Sequence, residues 1–235
     1  MITAHDLVFL FDVDDTLLDN DAVNADLDAH IANAFGEAGR KLYREIYEAL
    51  RDRVGYADYL GAIQQFRVRC GDEVRAQDLG AYLLEYPFAE RLYPRALEAI
   101  AQVSRFGTAI VLSDGDAVLQ PRKISAAGIA DAVDGRVLVY VHKETMLADV
   151  ERRFPARQYV IVEDKLRVID ALKRHWRERL TTVFVRQGHY AHDPEIATQY
   201  PPAQLALESI GDLCGHARDD FLSETSTATT AGGRP

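Results

Sequence analysis

An α/β fold with a doubly wound, Rossmann-like parallel sheet and an inserted all-helical unit is what this sequence predicts, on three observations. Short, wholly apolar β-branched runs recur along the chain, helical patterns alternate with them, and one long stretch has helical spacing with no convincing strand. Strand alternating with helix gives a parallel sheet covered on both faces, whose strands read as continuous apolar runs.

The runs are Leu7 to Phe11, Thr108 to Leu112, Val137 to Val141, Tyr159 to Val162 and Thr182 to Val185. Between them, helices are expected over Pro94 to Phe106, with proline at a first-turn position, and over Ala117 to Ala127, Glu144 to Phe154 and Lys165 to Arg179. Residues 18–88 break the rhythm. Leu27, Ile31 and Phe35, then Leu42, Ile46 and Leu50, then Tyr59, Ile63 and Phe66 repeat at helical spacing, which predicts about four helices with turns near Gly36 to Gly39 and Gly71-Asp72. Beyond Val185 come a Pro-rich link, an edge strand at Leu205 to Leu207 and a helix from Ser209. The expected organisation is a core over residues 1–17 and 89–216, a helical domain over 18–88, and a disordered polar tail over 217–235.

The 235 residues suffice for a large core, and their formal net charge of -10 argues against nucleic acid or an anionic membrane as partner. The two cysteines, Cys70 and Cys214, lie far apart with no metal-ligand spacing, as in a protein of the reducing cytoplasm. No apolar run approaches the length of a membrane span. The ligand expected is small or a metal-bound anion.

Polar residues cluster just after the strands: Asp12 and Asp14 after the first, Ser113-Asp114-Gly115 after the second, His142-Lys143 after the third, Glu163-Asp164 after the fourth. In a doubly wound sheet these ends converge on one crevice. Acids that can hold Mg²⁺, a lysine for an anion and a carboxylate nucleophile match phosphoryl transfer, where charge on the phosphoryl oxygens must be neutralised. Asp12 has the place of the nucleophile; Asp14 can protonate the leaving oxygen and later take a proton from water.

This set resembles the haloacid dehalogenase superfamily. Asp12-Val13-Asp14-Asp15-Thr16 is similar to its first motif, DxDxT; Ser113 resembles the second, Lys143 the third, and Val162-Glu163-Asp164 the acidic fourth. The resemblance spans Leu7 to about Cys214 and implies that residues 18–88 are a helical cap of the family's first type, C1. It implies a Mg²⁺ shell of the Asp12 carboxylate, the Asp14 main-chain carbonyl and Glu163 or Asp164, with Asp164 preferred, and phosphate contacts from Ser113, Asp114 and Lys143. The fourth motif departs from GDxxxD, since Val occupies position 168 and the next acid is Asp170. In family dehalogenases the residue matching Asp14 is not an acid, which points away from carbon–halogen cleavage. The family's phosphonate hydrolysis uses a cap lysine, and nothing around Lys41 suggests that role.

The expectation is a cytoplasmic Mg²⁺-dependent phosphatase of a small phosphorylated metabolite, working through an Asp12 aspartyl-phosphate. A sugar-phosphate mutase or a non-catalytic Mg²⁺/anion-binding regulator are the alternatives. His142, His189 and Lys123 read as surface or local hydrogen-bonding groups, Lys165 as charge balance and Asp15 as a turn residue. The tyrosines and arginines of residues 40–69 read mostly as packing.

Overall fold

The computed structural model describes residues 5–222. Six parallel strands, β1 (His5–Phe11), β2 (Thr108–Asp114), β3 (Val137–Tyr140), β4 (Ala156–Glu163), β5 (Leu180–Val185) and β6 (Leu205–Leu207), form one sheet in the order β3-β2-β1-β4-β5-β6. All six predicted strands are present. Because β1 is central, its side chains feed both layers: Leu7, Phe9 and Phe11 join one apolar cluster, Val8 and Leu10 the other.

The helical insert comprises α1 (Asn20–Val54), α2 (Tyr59–Arg69) and α3 (Glu73–Leu84). Gly36 breaks α1 with φ +70, a left-handed conformation that suits glycine, so the insert has four helical stretches. Each start is capped by an aspartate: Asp19 accepts from Ala22 N, Asp58 from Gly61 N and Asp72 from Arg75 N. The insert hangs on two chain crossings that run side by side. Asp19 N donates to Arg91 O at 2.8 Å and Tyr93 N to Leu17 O at 3.0 Å, closing a short antiparallel joint. At the far end of α1, Gly55 lies so close to the His142 ring that a Cβ would stand 2.5 Å from its Cε1. The insert therefore touches the core loop after β3.

The core helices are α4 (Ala96–Val103), α5 (Leu119–Ala126), α6 (Ile129–Ala132), α7 (Leu147–Arg153) and α8 (Leu166–Trp176). The expected link after β5 instead holds two short helices, α9 (Gly188–Ala191) and α10 (Pro194–Gln199), while the helix expected from Ser209 is a 3-10 turn over Ile210–Gly215 with a Ser209/Asp212 capping box.

The tail expected to be disordered from 217 is ordered at its start. Arg218–Phe221 forms a turn, Phe221 is fully buried edge-on against Phe9 at 5.1 Å, and its carbonyl accepts from Thr181 Oγ1 at 2.8 Å. A buried ring and a satisfied carbonyl fix the segment more strongly than its polar neighbours loosen it. The rest of that prediction, 223–235, lies outside the described residues. Among the described residues no helix is long and apolar enough to cross a membrane.

Candidate active site

β1 runs out into the turn that holds both aspartates. Asp12 N continues the ladder to Val162 O at 3.0 Å, which fixes the Asp12 side chain at the sheet's C-terminal edge. Asp15 then turns the chain with φ +63, an αL position that Asp and Asn tolerate better than most residues. Its Oδ1 accepts from Asn20 N and Asp21 N at 3.0 and 3.2 Å, satisfying two free donors at the start of α1, so Asp15 does serve the turn. Burial, with Asp21 and Asp14 close by, pushes its carboxyl up to about 7.

Lys143 comes from the loop after β3 and lies between two carboxylates. Its Nζ contacts Asp12 and stands 2.6 Å from Glu163, with all three side chains buried. Burial would pull the ammonium down, but Asp12, Glu163 and Asp114 together hold it above its ordinary value. Asp12 is pushed up to about 6 by burial and Glu163, against the pull of Lys143. Glu163 goes the other way: burial would raise it, and Lys143 brings it below normal. The Asp114 side chain, expected at the phosphate, accepts from Lys143 N at 2.6 Å through Oδ1 and so pins the lysine's loop at the cavity wall.

Asp12, Glu163 and Asp164 place carboxylate oxygens within 4.8 Å of one another. Burial, Glu163 and Asp12 drive Asp164 well above the usual carboxylate range, and neither of its oxygens accepts a hydrogen bond from a protein donor. The nearest cation is Lys165 Nζ at 3.8 Å. Unsatisfied buried carboxylate oxygens facing other carboxylates fit a hard divalent cation with oxygen ligands. Lys165 earns its expected charge-balancing place, held high by Asp164, Asp12 and Glu163 against burial.

Ser113, next to last in β2, has its Oγ accepting from Gln120 Nε2 at 2.9 Å. Gln120 also reaches Asp14 Oδ2 at 3.4 Å, and Lys123 Nζ stands 2.7 Å from Asp14 Oδ1. Lys123, expected as a surface or local group, is thus a buried partner of Asp14. The sequence carried a signal for it: Leu119, Gln120, Lys123 and Ile124 all fall on the buried face of α5, where a lysine is an anomaly. His189 is more conventional, half-exposed and bonded to Asp21 through Nδ1 at 2.6 Å.

Asp12, Asp14, Ser113, Asp114 and Lys165 all open onto one cavity of about 670 Å³, whose other wall is built by Tyr43, Arg44, Tyr47, Arg51 and Tyr56 of the insert. Lys143, Glu163 and Asp164 are buried behind its floor. The cavity thus presents two carboxylates two residues apart, with a cluster of three buried acids, Asp12, Glu163 and Asp164, at its base.

A family model of haloacid dehalogenase-like hydrolases matches residues 7–175. Among solved structures, a haloacid dehalogenase-like hydrolase from Burkholderia xenovorans LB400 is 51% identical, covers 93% of this chain and 99% of its own, and superposes with a TM-score of 0.88. The L-2-haloacid dehalogenase of Xanthobacter autotrophicus (20% identity, 88% and 96% coverage, TM-score 0.61) and a magnesium-bound HAD-hydrolase of Bacillus subtilis (16%, 90% and 97%, 0.56) share the fold. No curated protein matches.

Proposed function

The chain belongs to the haloacid dehalogenase-like hydrolases, and we propose that within that family it is a Mg²⁺-dependent phosphatase of a small phosphorylated metabolite, with residues 18–88 as a helical cap of type C1. The observation that carries this reading is Asp14: its carboxylate lines the cavity two residues from Asp12, and Lys123 and Gln120 each hold one of its oxygens. A departing halide takes no proton, so carbon–halogen cleavage has no use for a second carboxylate there. A departing alkoxide does.

In this reading an oxygen of Asp12 bonds to phosphorus as the ester P–O bond breaks, and Asp14 gives its proton to the leaving oxygen. Water then attacks phosphorus, Asp14 takes a proton from it, and the bond to Asp12 breaks to free phosphate. Ser113 orients the phosphoryl group, and Lys143 keeps Asp12 ionised and aimed. A divalent cation held by Asp12, Asp164 and the Asp14 main-chain carbonyl would neutralise phosphoryl charge. Asp164 suits that task better than Glu163, whose carboxylate is engaged by Lys143 and by Lys165 N at 3.1 Å.

The test is phosphate release from an aryl phosphate with Mg²⁺, set beside halide release from a 2-haloacid. Asp12→Asn should lower phosphate release by about 10⁴-fold or more, Asp14→Asn by a smaller factor, and EDTA should stop it. Halide release that survives EDTA, or phosphate release unchanged in Asp12→Asn, sinks the reading.

A further inference from the structure

Asp12 and Asp14 of the catalytic turn are each paired with a different lysine. Lys143 serves Asp12; Lys123 has no place in the chemistry above, yet burying it is costly unless something compensates its charge. Only 1% of its surface is exposed, and it does not line the cavity, so it cannot touch a substrate there. Its Nζ reaches Asp14 Oδ1 at 2.7 Å and Asn20 Oδ1 at 2.9 Å. Asn20 is the first residue of α1, and its Nδ2 donates to Tyr59 Oη on α2 at 3.0 Å. The Tyr59 ring in turn lies 5.8 Å from the ammonium. The lysine is therefore enclosed by one residue of the catalytic turn and two of the insert.

We propose that Lys123 is the positioning residue of the acid–base step, clamping Asp14 between core helix α5 and the first residue of the insert. The two oxygens of Asp14 are held unequally. Lys123 grips Oδ1 closely, whereas Gln120 reaches Oδ2 only at 3.4 Å, which leaves Oδ2 as the oxygen that exchanges a proton with the substrate. Through Asn20 and Tyr59 the grip extends into the insert, so the acid is aimed only while the insert sits as described. A positioned proton donor contributes about 10²- to 10⁴-fold, and loss of its aim forfeits much of that factor.

The proposal rests on the phosphatase reading and makes a prediction that a merely structural lysine does not. An alkyl phosphate releases a strongly basic alkoxide that needs protonation, while an aryl phosphate with an acidic phenol needs little. Lys123→Met should lower kcat/KM about 100-fold or more on the alkyl ester and less than about 10-fold on the aryl ester. Asp14→Asn should show the same selectivity, more strongly. Asn20→Ala, which strands no buried charge, should shift both in the same direction by a smaller factor, and it decides the question if Lys123→Met does not fold. Equal losses on the two esters, or none, overturn the proposal while leaving the phosphatase reading intact. Failure of the wild type to release phosphate from either ester overturns both.

Discussion

The floor and the roof of the cavity hold charge in opposite ways. On the floor, Lys143, Asp12, Glu163 and Asp164 are almost wholly buried, and their ionisation is displaced in both directions. On the roof, Arg44 pairs with Asp28 and Arg51 with Glu48 at 2.7 Å, but these arginine side chains remain 53% and 37% exposed. Buried charges are expensive and stay only where geometry compensates them; solvated pairs cost little and can shift. The floor therefore holds its charges in one arrangement, while the exposed arginine ends of the roof can move at little cost.

The largest effect expected from breaking this contrast is on the floor. Lys143→Met strands two buried carboxylates, which should cost about 3–5 kcal/mol and lower Tm in EDTA by roughly 6–20 °C for a chain of this size. Adding Glu163→Gln removes one of the stranded charges and should recover part of the loss. If Lys143→Met melts like the wild type, the floor is not electrostatically poised.

Between floor and roof lies the joint at Asp15, which sharpens the comparison through pH. Folding raises its carboxyl from 3.8 to about 7, so the folded state holds the proton more tightly than the unfolded one. Stability from that protonated form is complete below about pH 4 and is lost as pH rises through about 7. Asp15→Asn keeps the αL preference and the acceptor for Asn20 N and Asp21 N while removing the charge. It should match the wild type near pH 4 and become more stable than it by up to about 4 kcal/mol at pH 8. Urea unfolding across that range measures this, and a constant difference would show that Asp15 does not titrate with folding.

The same contrast explains what was legible in the sequence. Strands such as Leu7 to Phe11 announce themselves because both faces are buried, and the acids at their ends stand out against that apolar background. Lys123 stood apart from any motif, because it meets Asp14 through helix phase and not through spacing from a strand end. Phe221 was hidden by the polar company of Arg218, Asp219 and Asp220, and its partner Phe9 is at the far end of the chain. In α10 the signal was present but outweighed by neighbouring prolines: Asp193 caps Glu195 N at 2.9 Å with Pro194 at the first turn, an ordinary helix start. For the Tyr and Arg set of residues 40–69, helical spacing predicts packing and carries no sign that several of its members face the cavity.

The smallest effect is expected on the roof, where Arg51 lines the cavity and its guanidinium lies 5.9 Å from the Tyr47 ring. Arg51→Ala removes a half-exposed pair with Glu48 and should change stability by less than about 1 kcal/mol. If the roof reads the leaving group, KM for phosphorylated substrates should move by less than about tenfold with kcat held, since a contact made equally in ground and transition states acts on binding alone. A fall in kcat with KM unchanged would put Arg51 in the chemistry itself and erase the division between a fixed floor and an adaptable roof. A loss of several kcal/mol of stability would erase it differently, by making a solvated pair as structural as Lys143.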